Sequence, residues 1–146
     1  MGLDMYLNKE IFVGAEYEHR GVELGIDLKI GDKVVDIPTD KVSTITLWVG
    51  YWRKANAIHA WFVENVQGGN DDCGKYHVPY AKLLDLKDLC QEALGEPEMA
   101  EYLLPTSSGF FFGSTDYDEY YEQYLKDTID IIEKLDGGVY IYQSSW

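Results

Sequence analysis

The chain is short of cations. It carries 12 Lys and Arg residues against 26 Asp and Glu, a formal charge of −14 at pH 7. That balance repels nucleic acid and anionic membranes over the roughly 8 Å that salt leaves unscreened in cells, so direct nucleic-acid binding is not expected. The sequence also lacks the run of about eighteen apolar residues that a membrane span requires. Its opening, Met1-Gly2-Leu3-Asp4, lacks the basic-then-apolar pattern of a secretory leader, and the expected location is the cytoplasm. Cysteine is nearly absent: Cys73 and Cys90 read as thiols, since a chain of this size can build its core without a disulfide framework. There is no internal repeat and no low-complexity tract.

What is present suffices for a core. With 146 residues and 46% hydrophobic content, a single domain over 1–146 is expected. Residues 3–7 alternate apolar and polar side chains and predict a strand continuing through Ile11-Phe12-Val13. Leu24, Ile26, Leu28 and Ile30 alternate ahead of Gly31-Asp32, a good two-residue turn, so 22–37 reads as a hairpin. Val42–Val49 suggests another strand. The first helix is predicted over about Tyr51–Gln67, with Gly68-Gly69 as its stop. A second follows Pro79, with Leu83, Leu86, Leu89, Cys90 and Ala93 as its buried stripe. Glu98–Leu103 adds a short helical segment. Gly109–Gly113 reads as a short buried strand, and Ser114, Thr115 or Asp116 as the cap of a third main helix. That helix would turn Tyr121, Leu125, Thr128, Ile129, Ile132 and Leu135 inward. Val139–Tyr142 is a last strand. This order predicts an α+β domain with a mixed or antiparallel sheet and about three main helices.

The run Gly50–Val63 concentrates the chemistry. On a helix, Trp52, Asn56, His59 and Val63 fall on one line, with Arg53 and Lys54 on its flanks. A planar heterocycle can stack on Trp52, an anion can pair with Arg53 and Lys54, and Asn56 and His59 can read polar edges. The plainer alternative is that Trp52 and His59 belong to the core and that the cations pair with surplus acids. Cys73 and His77 have the spacing of some zinc ligands, but no second paired motif accompanies them, so no metal site is expected. Asp71, Asp72, Cys73 and His59 also allow a hydrolase, although nothing local marks either thiol as activated. Gly109–Thr115 lacks the lysine of a phosphate-binding loop, and Asp116, Asp118 and Glu119 would oppose an incoming anion there. Residues 114–136 hold eight acids against two lysines. They read as a solvated face, with a DNA-mimicking, protein-binding surface as the alternative.

Met1–Leu7, Gly50–Val66, Asp71-Asp72-Cys73, Leu104-Pro105-Thr106 and Gly109–Tyr121 together resemble a family of small, largely uncharacterised proteins of tailed phages and bacterial genomes. The resemblance spans most of the chain outside residues 8–45 and brings no set of catalytic residues or cofactor with it. It implies an accessory protein acting in the host cytoplasm, in a class that includes counter-defence factors sequestering nucleotide signals of bacterial immunity. The combined expectation is a protein that binds, without catalysis, an anionic and nucleotide-like small molecule through Trp52, Arg53, Lys54, Asn56 and His59. Nanomolar sequestration needs about 12 kcal/mol, more than one stack and a few charged hydrogen bonds provide, so enclosure in a homo-oligomer is expected.

Overall fold

The structure is a computed structural model that describes residues 2–146; Met1, the start of the opening block, lies outside them. The architecture is α+β, with four helices, an antiparallel four-stranded sheet and a separate two-stranded one. The chain divides into two compact units: the segment ending at Lys9 together with Trp48–Trp146, and Glu10–Leu47.

The main sheet contains strands β1 (Asp4–Phe12), β4 (Thr44–Arg53), β5 (Tyr76–Val78) and β6 (Val139–Ser145), in the order β4-β1-β6-β5. Around it lie helices α1 (Asn56–Asn65), α2 (Tyr80–Gly95), the single turn α3 (Ala100–Leu103) and α4 (Glu119–Glu133). Strand alternation decides which side chains are inside. Leu3, Met5 and Leu7 are fully buried, whereas Asp4, Tyr6 and Asn8 between and beside them are half-buried. Their core face meets Ile58 and Phe62 of α1, Leu83 and Leu86 of α2, and Leu125 and Ile132 of α4 in one hydrophobic cluster. Within it Tyr142 stacks on Phe62, ring centroids 3.9 Å apart and planes 8° from parallel. Cys90 is fully buried in the α2 stripe, and burial pushes its thiol up to about 12.

Three sequence expectations are corrected. The helix predicted from Tyr51 begins only at Asn56, because β4 runs through Arg53. Trp52 alternates with Gly50 into the core, and its indole N–H donates to Thr128 Oγ1 at 2.8 Å. Strand gives way to helix at Lys54, whose φ is +54°. Gly109–Gly113 forms a turn instead of a strand: Phe112 N–H donates to Gly109 O at 3.1 Å, and Phe111 has φ +63°. The cap of α4 is Asp118, whose carboxylate accepts from Tyr121 N–H, in place of Ser114, Thr115 or Asp116.

In the second unit, β2 (Leu28–Ile30) and β3 (Lys33–Val35) form the expected hairpin, with Ile30 opposite Lys33 across Gly31-Asp32. Gly31 has φ +62°, the requirement that glycine meets at the first central position of a type II′ turn.

Gly50 of β4 lies tight against α4. A Cβ there would sit 2.9 Å from Ile131 Cγ2 and 3.3 Å from Leu7 Cβ. Gly50→Ala is therefore expected to destabilise the protein by about 1–3 kcal/mol through overpacking. Gly95→Ala, with nothing within 4 Å of the added methyl, should instead stabilise it by about 0.4–1 kcal/mol. Urea unfolding of the two variants checks the opposite signs.

Candidate functional site

The structure scatters the five residues that the sequence grouped. Asn56, fully buried at the start of α1, holds the loop between α3 and α4. Its amide N–H groups donate to Phe112 O at 3.2 Å and Ser114 O at 2.8 Å, and its Oδ1 accepts from Ser107 N–H at 3.0 Å. Those three bonds use the side chain's recognition capacity on its own backbone. Asn56 is thus a clamp, closed to a ligand as the chain stands.

His59, 1% exposed, is committed in the same way. Its Nδ1 lies 2.6 Å from Tyr142 Oη and its Nε2 lies 3.0 Å from Asp71 Oδ2, while Trp146 Nε1–H donates to Asp71 Oδ1 at 3.0 Å. Burial raises the Tyr142 phenol well above its ordinary pKa, so its hydroxyl stays protonated and donates. The tautomer that satisfies every group has Tyr142 O–H donating to Nδ1 and Nε2–H donating to Asp71. This joins α1, β6 and the loop before β5 in one hydrogen-bonded chain. It also unites His59 and Asp71, which the hydrolase alternative had named, without giving the imidazole an open side.

Cys73 and Asp72 belong to the turn after Asn70. Asp72 accepts from Gly74 N–H, Tyr76 O–H and Asn70 Nδ2–H at 2.8–2.9 Å. Cys73 has φ +59° and accepts at its carbonyl from Gln143 Nε2–H at 3.3 Å. His77 is exposed on β5. Among the described residues no three His, Cys, Asp or Glu side chains gather as metal ligands.

Trp52 and Arg53 come together at a groove between the end of β4 and α4. Tyr51, Trp52, Arg53, Tyr120, Gln123, Tyr124 and Asp127 line a cavity of about 240 Å³. Trp52 is 3% exposed and serves as the floor, so it offers no open ring face for stacking, contrary to the helical placement. Tyr51 and Tyr120 are the exposed rings, at 42% and 48%. Tyr120 O–H donates to Arg53 O at 2.6 Å, tying α4 to the strand end, and Tyr51 O–H donates to Asp4 at 2.5 Å. Arg53 is exposed and makes no ion pair among the described residues. Asp127 is engaged instead by Gln123 Nε2–H at 2.8 Å. Lys54 does not line this groove; its half-buried stem runs beside Gly113. The sequence also places Tyr117, Tyr120, Tyr121 and Tyr124 in a cluster at helical spacing, most of it packing, with one or two hydroxyls available to line a polar pocket. Tyr120, Gln123, Tyr124 and Asp127 do follow three- and four-residue spacing on α4, which is the signal that could have shown the wall.

Comparison with protein-family models, curated proteins and solved structures yields no match for this chain.

Two outcomes follow from this geometry. Asn56→Ala removes the clamp and leaves the amide of Ser107 and two carbonyls without their partner, at about 1–3 kcal/mol for a buried group left unpaired. Hydrogen exchange over 106–116 should accelerate while α2 remains protected. The second outcome concerns acid. The Gly74 amide, then Tyr76, hold the Asp72 carboxyl below its ordinary pKa. A depressed carboxylate stabilises the folded state above the unfolded pKa of roughly 3.9, and that contribution disappears as pH falls through the lower folded value. Asp72→Asn should therefore flatten the acid limb of thermal stability below about pH 4, measured by melting at a series of pH values.

Proposed function

We propose that the protein binds, without transforming it, a small planar anion of nucleotide type in the groove between β4 and α4, and so withdraws that ligand from other receptors. The observation that carries this reading is Arg53. In a chain with more than twice as many acids as bases, its guanidinium makes no ion pair among the described residues and lines a groove together with two exposed tyrosines. A guanidinium offers phosphate or carboxylate a planar pair of donors. Tyr51 and Tyr120 give a heterocycle walls to stack against, worth about 1–3 kcal/mol per ring by comparison with bases on aromatic side chains. Asp127 gives an amino edge an acceptor. A binding role, as opposed to hydrolysis, is favoured by the burial of His59 and its engagement at both ring nitrogens.

Size sets a limit on affinity. At about 240 Å³ the groove is smaller than the roughly 300–1,000 Å³ of sites that enclose drug-sized ligands. One stack and two or three charge-assisted hydrogen bonds, at about 1.5–3 kcal/mol each, supply about half to two-thirds of the 12 or so kcal/mol of nanomolar binding at mid-range values. A homo-oligomer supplies the missing cover in this reading. Lys54, outside the lining, contributes charge and no direct contact.

The test is calorimetric titration of the whole chain with a panel of mono- and dinucleotides and simple phosphates, followed by denaturation and chromatography of the released ligand. Binding of at least one planar anion is expected, with the ligand recovered intact. Arg53→Ala should weaken it about 10- to 150-fold, and Arg53→Lys nearly as much, because the fork is lost. Unchanged binding in Arg53→Ala, or recovery of a cleaved product, would sink the reading.

A further inference from the structure

We propose that the β2–β3 hairpin is a homodimer contact, in which the outer edge of β2 pairs antiparallel with the same edge of a second copy, centred on Leu28. The contact shares no residue with the ligand groove.

The hairpin has little to sustain it alone. Within residues 10–47 the only hydrophobic side chain in the buried class is Val13, at 9% exposure, while Ile30 and Val34 are both 68% exposed. A two-stranded hairpin of this kind is marginal in water, and units near 40 residues seldom stabilise themselves by burial. Apart from the ladder between β2 and β3, no backbone or side-chain hydrogen bond reaches residues 24–37 among those described. The outer edge of β2 is therefore open, and an open edge is a template for another strand.

Backbone parity then restricts what that edge can accept. Across a two-residue turn, Ile30 and Lys33 form a hydrogen-bonded pair, and bonded and unbonded pairs alternate along the ladder. Leu28 and Ile30 accordingly direct their N–H and C=O groups toward β3. Lys29 directs its groups outward, and continuing the strand by one residue gives Asp27, just before β2, the same orientation. An antiparallel copy must match outward residues with outward residues. Three such registers are near at hand. Centring on Asp27 sets Asp27 opposite Asp27, and centring on Lys29 sets Lys29 opposite Lys29. Centring on Leu28 sets Asp27 opposite Lys29 of the second copy, twice by symmetry.

The sequence Ile26-Asp27-Leu28-Lys29-Ile30 is thus self-complementary about its middle residue. The same register places Ile26 opposite Ile30, and Leu28 opposite itself in a close unbonded pair, all on the face opposite the charges. The other edge fails this criterion. In β3, matching Lys33 with Asp36 would pair an inward residue with an outward one, and the allowed registers set no opposite charges across from each other. A two-fold contact is isologous, so one self-complementary strand is all it needs.

The test uses analytical ultracentrifugation of the whole chain without ligand. The wild type is expected to be dimeric at micromolar concentration. Asp27→Lys and Lys29→Asp should each weaken the dimer about ten- to a hundredfold, since both replace two attractive pairs with two repulsive ones. An equimolar mixture of those variants should form a heterodimer, and the double exchange Asp27→Lys/Lys29→Asp should recover the homodimer. A monomeric wild type, dimers unaffected by single exchange, or a mixture that stays monomeric would each overturn the proposal. If an exchange abolishes the thermal transition, Lys29→Pro tests the same edge by removing an outward N–H that β3 does not use. A dimer that survives it is incompatible with β2 pairing. With no nucleotide present, failure here is distinguishable from failure of the ligand reading.

Discussion

The amide of Asn56 is the constraint on which the junction of β4, α1 and the 107–114 loop depends. It is fully buried at the point where strand becomes helix, and it accepts and donates only to the backbone of residues 107–114. A buried polar group keeps its place only if its partners keep theirs, so helix start and loop are fixed together. From there the ordering passes outward. The clamped loop sets the Phe112 ring against His59, centroids 5.5 Å apart, and against Trp146 at 6.0 Å. His59 in turn holds the Tyr142 hydroxyl, and Tyr142 lies flat on Phe62 in the core. One side chain thus couples the 107–114 loop, α1 and β6.

Much of the architecture could be read from the sequence, and the failures share a cause. Strict alternation identified β1 and the hairpin, and the apolar stripe identified α2, because each pattern has a single period over its whole length. The stretch from Gly50 to Phe62 has two. Gly50 and Trp52 point inward as strand residues, Ala55 is buried at the helix cap and Ile58 and Phe62 as helix residues, and together they imitate one long helical stripe. The break falls on Lys54, which adopts positive φ without a glycine or proline to announce it. Phe111 misleads in the same way: three consecutive phenylalanines resemble a buried strand, yet Phe110 is 80% exposed and the chain turns at Phe111.

That shift of secondary structure changes what the basic residues can do. A helix would have set Trp52, Asn56 and His59 on one face, with Arg53 and Lys54 on its flanks, as a ligand site. The strand-to-helix junction instead sends Trp52, Asn56 and His59 inward and leaves Arg53 at the rim of a groove whose other wall is α4. No periodicity within residues 50–63 contains that wall. Spacing on α4 marks that wall, but its pairing with Arg53 rests on Tyr120 donating to the Arg53 carbonyl from 67 residues away.

The charges of the groove point in a specific direction. An exposed ion pair is worth only about 0–1 kcal/mol, so an unpaired Arg53 costs the fold little. The informative fact is the arrangement of its neighbour. Asp127 lines the same groove and is held by Gln123, the residue one turn before it, instead of by the guanidinium. Acceptor and donor are therefore presented separately, with tyrosine rings beside them. A simple anion such as sulfate would satisfy Arg53 and face repulsion from Asp127. The ligand proposed above, carrying both an anionic group and an amino edge on a flat ring, would satisfy the whole set. In an open groove water weakens each of these contacts, so on the proposed reading the groove would supply selectivity and a covering second copy the affinity.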